Sequence, residues 1–429
     1  MPIPKSKNVL AAIRQVSAKL SFAGLIATTC TVAAQDVAPS PEPAAAQEKP
    51  AESTPVAPAV TGTPVAAETP AAPSLPQEVD ENYSLLGEFV GTVTVSEGKQ
   101  EPIGLQIRPI GNNKFDALQY AGGLPGQELY KPELLKLAGM RSGDFVILSG
   151  GPWAIFVEKD HCLLVSREGN RIGRLERVVR TSPTLGAEPP KDAIVLFDGK
   201  NTDQFVTANM TEDGLLMQGA DIKPMLNDFN LHVEFRLPYM PSKDDQERGN
   251  SGLYLQSRYE MQVLDSFAQE PKFNGCGSIY RYKAPDLNMC LPPLQWQTYD
   301  IVFTAPRWAA DGKKIRNATV TSWLNGVKVQ DNVSLENKTG AGKPEEPVLL
   351  PTKIQDHKDQ VRFRNIWAID RGLSAGEFPV TAKVPAEKAA GVAKQESQSK
   401  ETEPKAEEAQ PEKQPEKQVD KQLDAPKSE

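Results

Sequence analysis

Apolar and polar positions alternate with a period of two through most of the chain between residues 83 and 371. In the first half the runs are G-E-F-V-G-T-V-T-V, I-G-L-Q-I-R-P-I, K-F-D-A-L-Q-Y, D-F-V-I-L-S, W-A-I-F-V-E and C-L-L-V-S. Turn signals such as G-N-N, R-S-G-D, S-G-G-P and R-E-G-N separate them, which predicts short antiparallel strands. One segment, P-E-L-L-K-L-A, reads as helix instead. The expectation for Tyr83–Val179 is a small β sandwich or barrel in which Cys162 is a core thiol and His161 is as readily a surface residue.

After the Pro-rich joint T-S-P-T-L-G-A-E-P-P-K the alternation resumes. In N-L-H-V-E-F-R-L, Leu231, Val233, Phe235 and Leu237 point one way, and His232, Glu234 and Arg236 the other, because successive side chains alternate across a sheet. The same pattern runs through S-G-L-Y-L-Q-S-R, Y-E-M-Q-V-L-D, T-Y-D-I-V-F, A-T-V-T-S-W-L-N-G-V-K-V-Q and V-R-F-R-N-I-W-A-I. Asn325-Gly326 between two such runs is a two-residue hairpin signal. The fold class is therefore mainly β: a two-sheet jelly-roll sandwich preceded by a small antiparallel β domain.

The ends of the chain differ in composition. Lys5, Lys7, Arg14 and Lys19 precede the apolar run L-S-F-A-G-L-I-A-T-T-C-T-V-A-A, with small residues Val32 and Ala34 where a signal peptidase cuts. This predicts an export signal over 1–34, hence a periplasmic or secreted protein without a membrane span after cleavage. Residues 35–80 hold ten Pro and eleven Ala and no aromatic residue, too little apolar surface to offset chain entropy, so they read as a disordered linker. Residues 382–429 read as a charged disordered tail. Between them lie an accessory β domain at 81–182 and a sandwich at 191–371. The balance of 48 Lys+Arg against 56 Asp+Glu argues against a nucleic-acid partner. Three His and four Cys, without Cys-x-x-Cys, exclude a zinc ribbon or iron–sulfur scaffold.

The candidate chemistry lies in the second domain. In Y-E-M-Q-V-L-D, Tyr259, Met261 and Val263 pack inward, so Glu260 and Gln262 share the polar face. Strict alternation sends Asp265 inward, whereas a bulge or strand end at Leu264 returns it to that face. The spacing is similar to the E-x-D-x-x-E strand of laminarinase-type glucanases, with Gln in place of the middle acid. G-N-S-G-L-Y sets Asn250 and Ser251 between two glycines, either a close backbone approach to a ligand or a tight turn. His357 lies in a loop before a strand carrying Arg362 and Arg364. Cys276 and Cys290 bracket a loop and are either bridged or two buried thiols.

These blocks resemble the 3-keto-disaccharide hydrolase family over about 193–370. The matching pieces are L-F-D-G-K-N, F-N-L-H-V-E-F-R, R-G-N-S-G-L-Y-L-Q, R-Y-E-M-Q-V-L-D-S, C-G-S-I-Y, N-M-C-L-P-P-L-Q-W-Q-T-Y-D-I, L-N-G-V-K-V-Q-D-N-V and I-Q-D-H through F-R-N-I-W. The sequence departs from the family at Lys358, where Gly usually follows the His, and at the T-D-Q-F after L-F-D-G-K-N. The resemblance implies a concanavalin-like sandwich acting on a disaccharide or glycoside oxidised at C3. The ketone acidifies the C2 proton, so a base removes it and the glycosidic oxygen leaves by elimination, with water added back afterwards. Glu260 or His357 is then the base, with Asp265 beside them. Arg236, or a divalent metal ion held by Glu260, Asp265 and His357, stabilises the enolate. Glu234, Asn250, Tyr254, Gln262 and Arg364 join Arg236 as substrate-binding candidates.

Two other readings use the same fold: a lectin-like carbohydrate-binding module with Trp296, Trp308, Trp323 and Tyr254 as stacking platforms, and an envelope scaffold tethered by its tails.

Overall fold

The structure is a computed structural model and describes residues 77–372; the expected signal, linker and tail lie outside these, apart from the last residues of the linker. Strands of the first part are β1 (Gly87–Thr94), β2 (Gln100–Pro109), β3 (Lys114–Ala121), β4 (Leu134–Ser142), β5 (Phe145–Ser149), β6 (Ala154–Val157), β7 (His161–Val165) and β8 (Arg171–Val178). Each pairs antiparallel with the next, and β1 pairs with β8, so the sheet closes into a barrel. Inward positions fill it with Phe89, Leu105, Ile107, Phe115, Val146, Leu148, Ile155, Cys162 and Leu164, leaving a packed interior as expected for eight strands.

The helix expected at P-E-L-L-K-L-A is not formed; from Leu134 onward those residues lie in β4. Leu137 is buried while Lys136 is exposed, and the ladder to β3 and β5 gives the backbone partners that closure demands. Tertiary pairing overrides a modest local preference here.

The second part contains β9 (Ile194–Phe197), β10 (Phe205–Thr207), β11 (Leu216–Met217), β12 (Ala220–Ile222), β13 (Asp228–Arg236), β14 (Ser251–Leu255), β15 (Tyr259–Val263), β16 (Trp296–Thr304), β17 (Arg307–Trp308), β18 (Lys314–Arg316), β19 (Ala318–Leu324), β20 (Val327–Leu335), β21 (Lys353–Ile354) and β22 (Arg362–Gly372). A smaller sheet runs β10-β12-β21-β14-β15, and a larger one β11-β22-β13-β16-β19-β20 with β9 on β22. Their apolar faces share one core: Leu253, Leu255, Tyr259, Met261 and Val263 from the smaller sheet, and Leu231, Val233, Phe235, Tyr299, Ile301 and Phe303 from the larger. Asn325 and Gly326, both at positive φ (52° and 78°), make the turn between β19 and β20, the geometry a two-residue hairpin requires.

The sandwich has two outer faces pointing in opposite directions. That of the larger sheet is not left to solvent. The connection from the barrel crosses it: Ser182 Oγ lies 2.6 Å from Thr298 Oγ1, Thr184 Oγ1 donates to Asp300 Oδ2 (2.7 Å) and the Gly186 N–H to Glu234 Oε1 (2.5 Å). His232 and Glu234, expected on an open polar face, are consequently fully buried. Among the described residues no helix is long and apolar enough to cross a membrane.

Candidate active site

The outer face of the smaller sheet carries the candidate site, and strand register explains its composition. Asp221 pairs with Lys353, Lys353 with Tyr254, and Tyr254 with Glu260. The segment 278–280 continues the sheet beyond β15, with a Met261–Ile279 bridge and the Tyr280 N–H donating to the Glu260 carbonyl (2.9 Å). Alternation sends Ala220, Ile354, Leu253 and Met261 into the core, so Asp221, Lys353, Tyr254, Glu260 and Tyr280 form one outward row. At roughly 4.8 Å per strand the row spans about 19 Å. The next row consists of Gly219, Gln355, Gly252, Gln262 and Ser278, where the Gln355 N–H donates to the Gly252 carbonyl (2.8 Å) and the Gln262 N–H to the Ser278 carbonyl (3.0 Å). The two glycines there make room for neighbouring side chains, Asp356 over Gly219 and Glu260 over Gly252.

Glu260 is 2% exposed and lies over Gly252: a Cβ on that glycine would stand 2.7 Å from Oε1. Its other oxygen accepts the Tyr254 hydroxyl at 2.7 Å. Segment 339–341 covers the carboxylate, since a Cβ on Gly340 would stand 2.5 Å from Oε2 and the Glu260 N–H donates to Thr339 Oγ1 (2.8 Å). No cation pairs with it among the described residues. Burial therefore pushes its carboxyl up to about 7, against the opposing effect of the Tyr254 hydrogen bond, the behaviour of a desolvated carboxyl without a counter-charge.

Tyr254 stands between this carboxylate and solvent. Its hydroxyl also receives a long contact from Gln355 Nε2 (3.5 Å), and burial, followed by the Glu260 charge, raises its pKa well above the phenol range. On its open side is a groove of about 440 Å³ lined by Tyr254, Asp221, Lys353, Gln355, Asp356 and Lys343, among others, of the size of small-ligand pockets. Four buried polar atoms on this side of the sandwich, Gln262 Oε1, Asn250 Oδ1, Ser278 Oγ and Gln355 Oε1, lack partners among the described residues.

The remaining candidates are distributed differently from the expectation. Asn250 and Gln262 stay with Glu260; both contact Gln246, Asn250 Nδ2 donating to its carbonyl (2.8 Å) and Gln262 Nε2 to its Oε1 (3.1 Å). Asp265 leaves the site. Strand β15 ends at Val263, and the Asp265 Oδ2 accepts Arg248 Nε (2.7 Å) in a buried ion pair that turns the carboxylate away from Glu260. His357 is exposed in the loop after β21 and makes no hydrogen bond or ion pair among the described residues. Asp356 Oδ1 accepts the Lys358 N–H (2.8 Å), closing a turn in which Lys358 takes φ +74°, a glycine-favouring conformation. Among the described residues no three His, Cys, Asp or Glu side chains gather to hold a metal ion. The expected metal set of Glu260, Asp265 and His357 is thus not assembled.

Glu234, Arg236 and Arg364 lie on the other sheet's outer face. Burial pushes the Glu234 carboxyl up, but His232 (Nε2 at 3.8 Å), Asn365 Nδ2 (2.9 Å), Arg364 Nε (2.7 Å) and the Gly186 N–H outweigh it and hold the carboxyl at about 2. The guanidinium carbons of Arg236 and Arg364 lie 4.8 and 4.0 Å from the Trp296 ring centroid. The sandwich core separates these residues from Glu260. Trp296 is therefore beneath arginines and Trp308 is buried, so neither offers a bare stacking platform. Cys276 and Cys290 are buried free thiols.

Sequence reasoning missed Asp221, Lys353 and Tyr280. Asp221 and Lys353 sit on strands of three and two residues, too short for a period-two signal. The Y of C-G-S-I-Y was visible, but not its pairing beside Glu260.

Residues 192–369 match the family described as 3-keto-alpha-glucoside-1,2-lyase-like domain. A solved structure of a candidate glycosyl hydrolase from Parabacteroides distasonis is 32% identical, the match covering 42% of this chain and 84% of that one (TM-score 0.39). A second candidate glycosyl hydrolase of that organism is 18% identical, covering 45% and 99% (TM-score 0.30). A Trypanosoma rangeli sialidase is 9% identical, covering 68% and 52% (TM-score 0.25). No curated protein matches. Through its second domain the chain belongs to the 3-keto-alpha-glucoside-1,2-lyase-like family.

Proposed function

We propose that the protein is an exported enzyme that cleaves the glycosidic bond of 3-keto-disaccharides or 3-keto-glycosides by elimination followed by addition of water. The coarser assignment, a glycoside-acting enzyme of glycosyl-hydrolase type, follows from family membership. The observation that carries the finer reading is the buried Glu260 carboxylate, unpaired with any cation among the described residues, hydrogen-bonded to the hydroxyl of the groove-lining Tyr254.

The pair acts as a proton relay. Tyr254 Oη accepts the C2 proton of the oxidised ring while its own proton passes to Glu260 Oε2. The C2–H electron pair forms the enolate, with negative charge on the C3 oxygen. The enolate collapses to a C1–C2 double bond conjugated with the restored ketone, the C1–O bond breaks, and the relay reverses to protonate the leaving oxygen. Water then adds across the double bond. A carboxyl near 7 suits this, because proton acceptors work best when their pKa lies close to the working pH. Export rests on the charged and apolar pattern of residues 1–34.

The test is incubation of purified protein with 3-keto-trehalose or 3-keto-cellobiose, with and without a chelator, and assay of free monosaccharide. Release by wild type, lost in Tyr254→Phe, supports the proposal. Binding of the sugar without release marks a lectin-like module instead.

A further inference from the structure

Elimination across a ketone leaves negative charge on the C3 oxygen, and something in the site must receive it. The sequence offered Arg236 or a metal ion, and the structure supplies neither at the groove: Arg236 lies on the opposite sheet beside Trp296, and no metal-holding cluster forms among the described residues. The groove has cations of its own in Lys353 and Lys343.

We propose that Lys353 is the group that stabilises the developing enolate oxygen. This rests on the elimination reading above. Lys353 is the direct cross-strand partner of Tyr254, and such partners carry Cβ atoms about 5 Å apart on the same face. In this proposal the sugar ring lies along the row with C2 at the Tyr254 hydroxyl and C3 turned toward β21, which brings the C3 oxygen to the Lys353 side. Asp221, one strand further out, forms an ion pair with the ammonium at 3.2 Å and so holds it over the row. The lysine is aimed before substrate arrives, and preorganised charge of this kind is the largest contributor to many rate enhancements. Lys343 lacks such a tether among the described residues, its backbone N–H alone being fixed by the Ser257 carbonyl (2.9 Å). Asp221 is thus a positioning residue for Lys353.

The experiment compares wild type, Lys353→Met, Lys353→Arg and Asp221→Asn on 3-keto-trehalose, unlabelled and deuterated at C2 of the oxidised ring. Lys353→Met is expected to lower kcat about 10²- to 10³-fold, to change KM little and to increase the C2-deuterium isotope effect, because enolate formation becomes slower. Lys353→Arg recovers part of the loss. Asp221→Asn gives a smaller fall in kcat and keeps the assignment testable if Met at position 353 disturbs the sheet. Turnover by wild type with kcat unchanged in Lys353→Met, or in Asp221→Asn where the former does not fold, overturns the lysine assignment and leaves the elimination reading standing. No cleavage by wild type overturns both.

Discussion

Replacing Glu260 with Gln should make the protein more stable in alkali while removing its activity. The carboxyl of Glu260 rises from 4.5 to about 7 on folding, a difference of 2.5 units, so at about 1.4 kcal/mol per unit its ionisation costs the native state about 3 kcal/mol. Between the unfolded and folded values the native protein holds a proton that the unfolded chain has released. Native stability from this group is therefore full below about pH 4.5, declines as pH rises to about 7, and stays lost above it. An amide at 260 cannot ionise and still accepts the Tyr254 hydroxyl. Denaturant unfolding of Glu260→Gln and wild type at pH 5 and pH 8.5 should give nearly equal stabilities at the lower pH and an advantage of about 2–3 kcal/mol to the variant at the higher. Parallel curves at both pH values would refute the claim that the carboxylate is buried without a cation.

The remaining predictions concern other parts of the fold and site. Tyr254→Phe, which keeps the ring and loses the hydroxyl bonded to Glu260, should lower kcat at least about 10²-fold with the fold intact by circular dichroism. Asp265→Asn leaves Arg248 as an unpaired buried charge and should destabilise by about 3–5 kcal/mol, read by urea unfolding, while kcat of the folded fraction stays near that of wild type. Burial opposes the charge on His232, but Asp300 at 2.7 Å and Glu234 hold its pKa above the ordinary value. Its imidazolium thus stabilises the native state fully below about pH 6.5, and this is lost as pH rises through the folded value. His232→Gln should accordingly cost more stability at pH 5.5 than at pH 9. Cys162, Cys276 and Cys290, all buried thiols, should react with a thiol reagent only after denaturation.

Alternation of apolar and polar residues was enough to place Glu260 and Gln262 on an outward face and Met261 in the core, because a strand's two faces are fixed by its own period. The same rule says nothing about which sheet a strand joins. Glu234 and Arg236 are outward on β13 just as Glu260 is on β15, yet the faces point in opposite directions and the residues never meet. Pairing, which brings Lys353 beside Tyr254, depends on contacts about a hundred residues apart in sequence. The burial of His232 depends on the connection at 182–187, whose T-S-P-T-L-G reads as a mere joint. Asp265 marks a different boundary: alternation left it inward or outward according to where β15 stops, and only the Arg248 ion pair decides its role.

The central claim, proton abstraction from C2 by the Glu260–Tyr254 pair, is tested most directly by turnover of 3-keto-trehalose in deuterium oxide against an enzyme-free control. The account predicts monosaccharide product carrying one deuterium at C2 of the oxidised ring, a wild-type rate that rises with pH and levels off above about 7, and loss of both release and labelling in Glu260→Gln. Product retaining protium at C2, or labelling by Glu260→Gln at the wild-type rate, would contradict it.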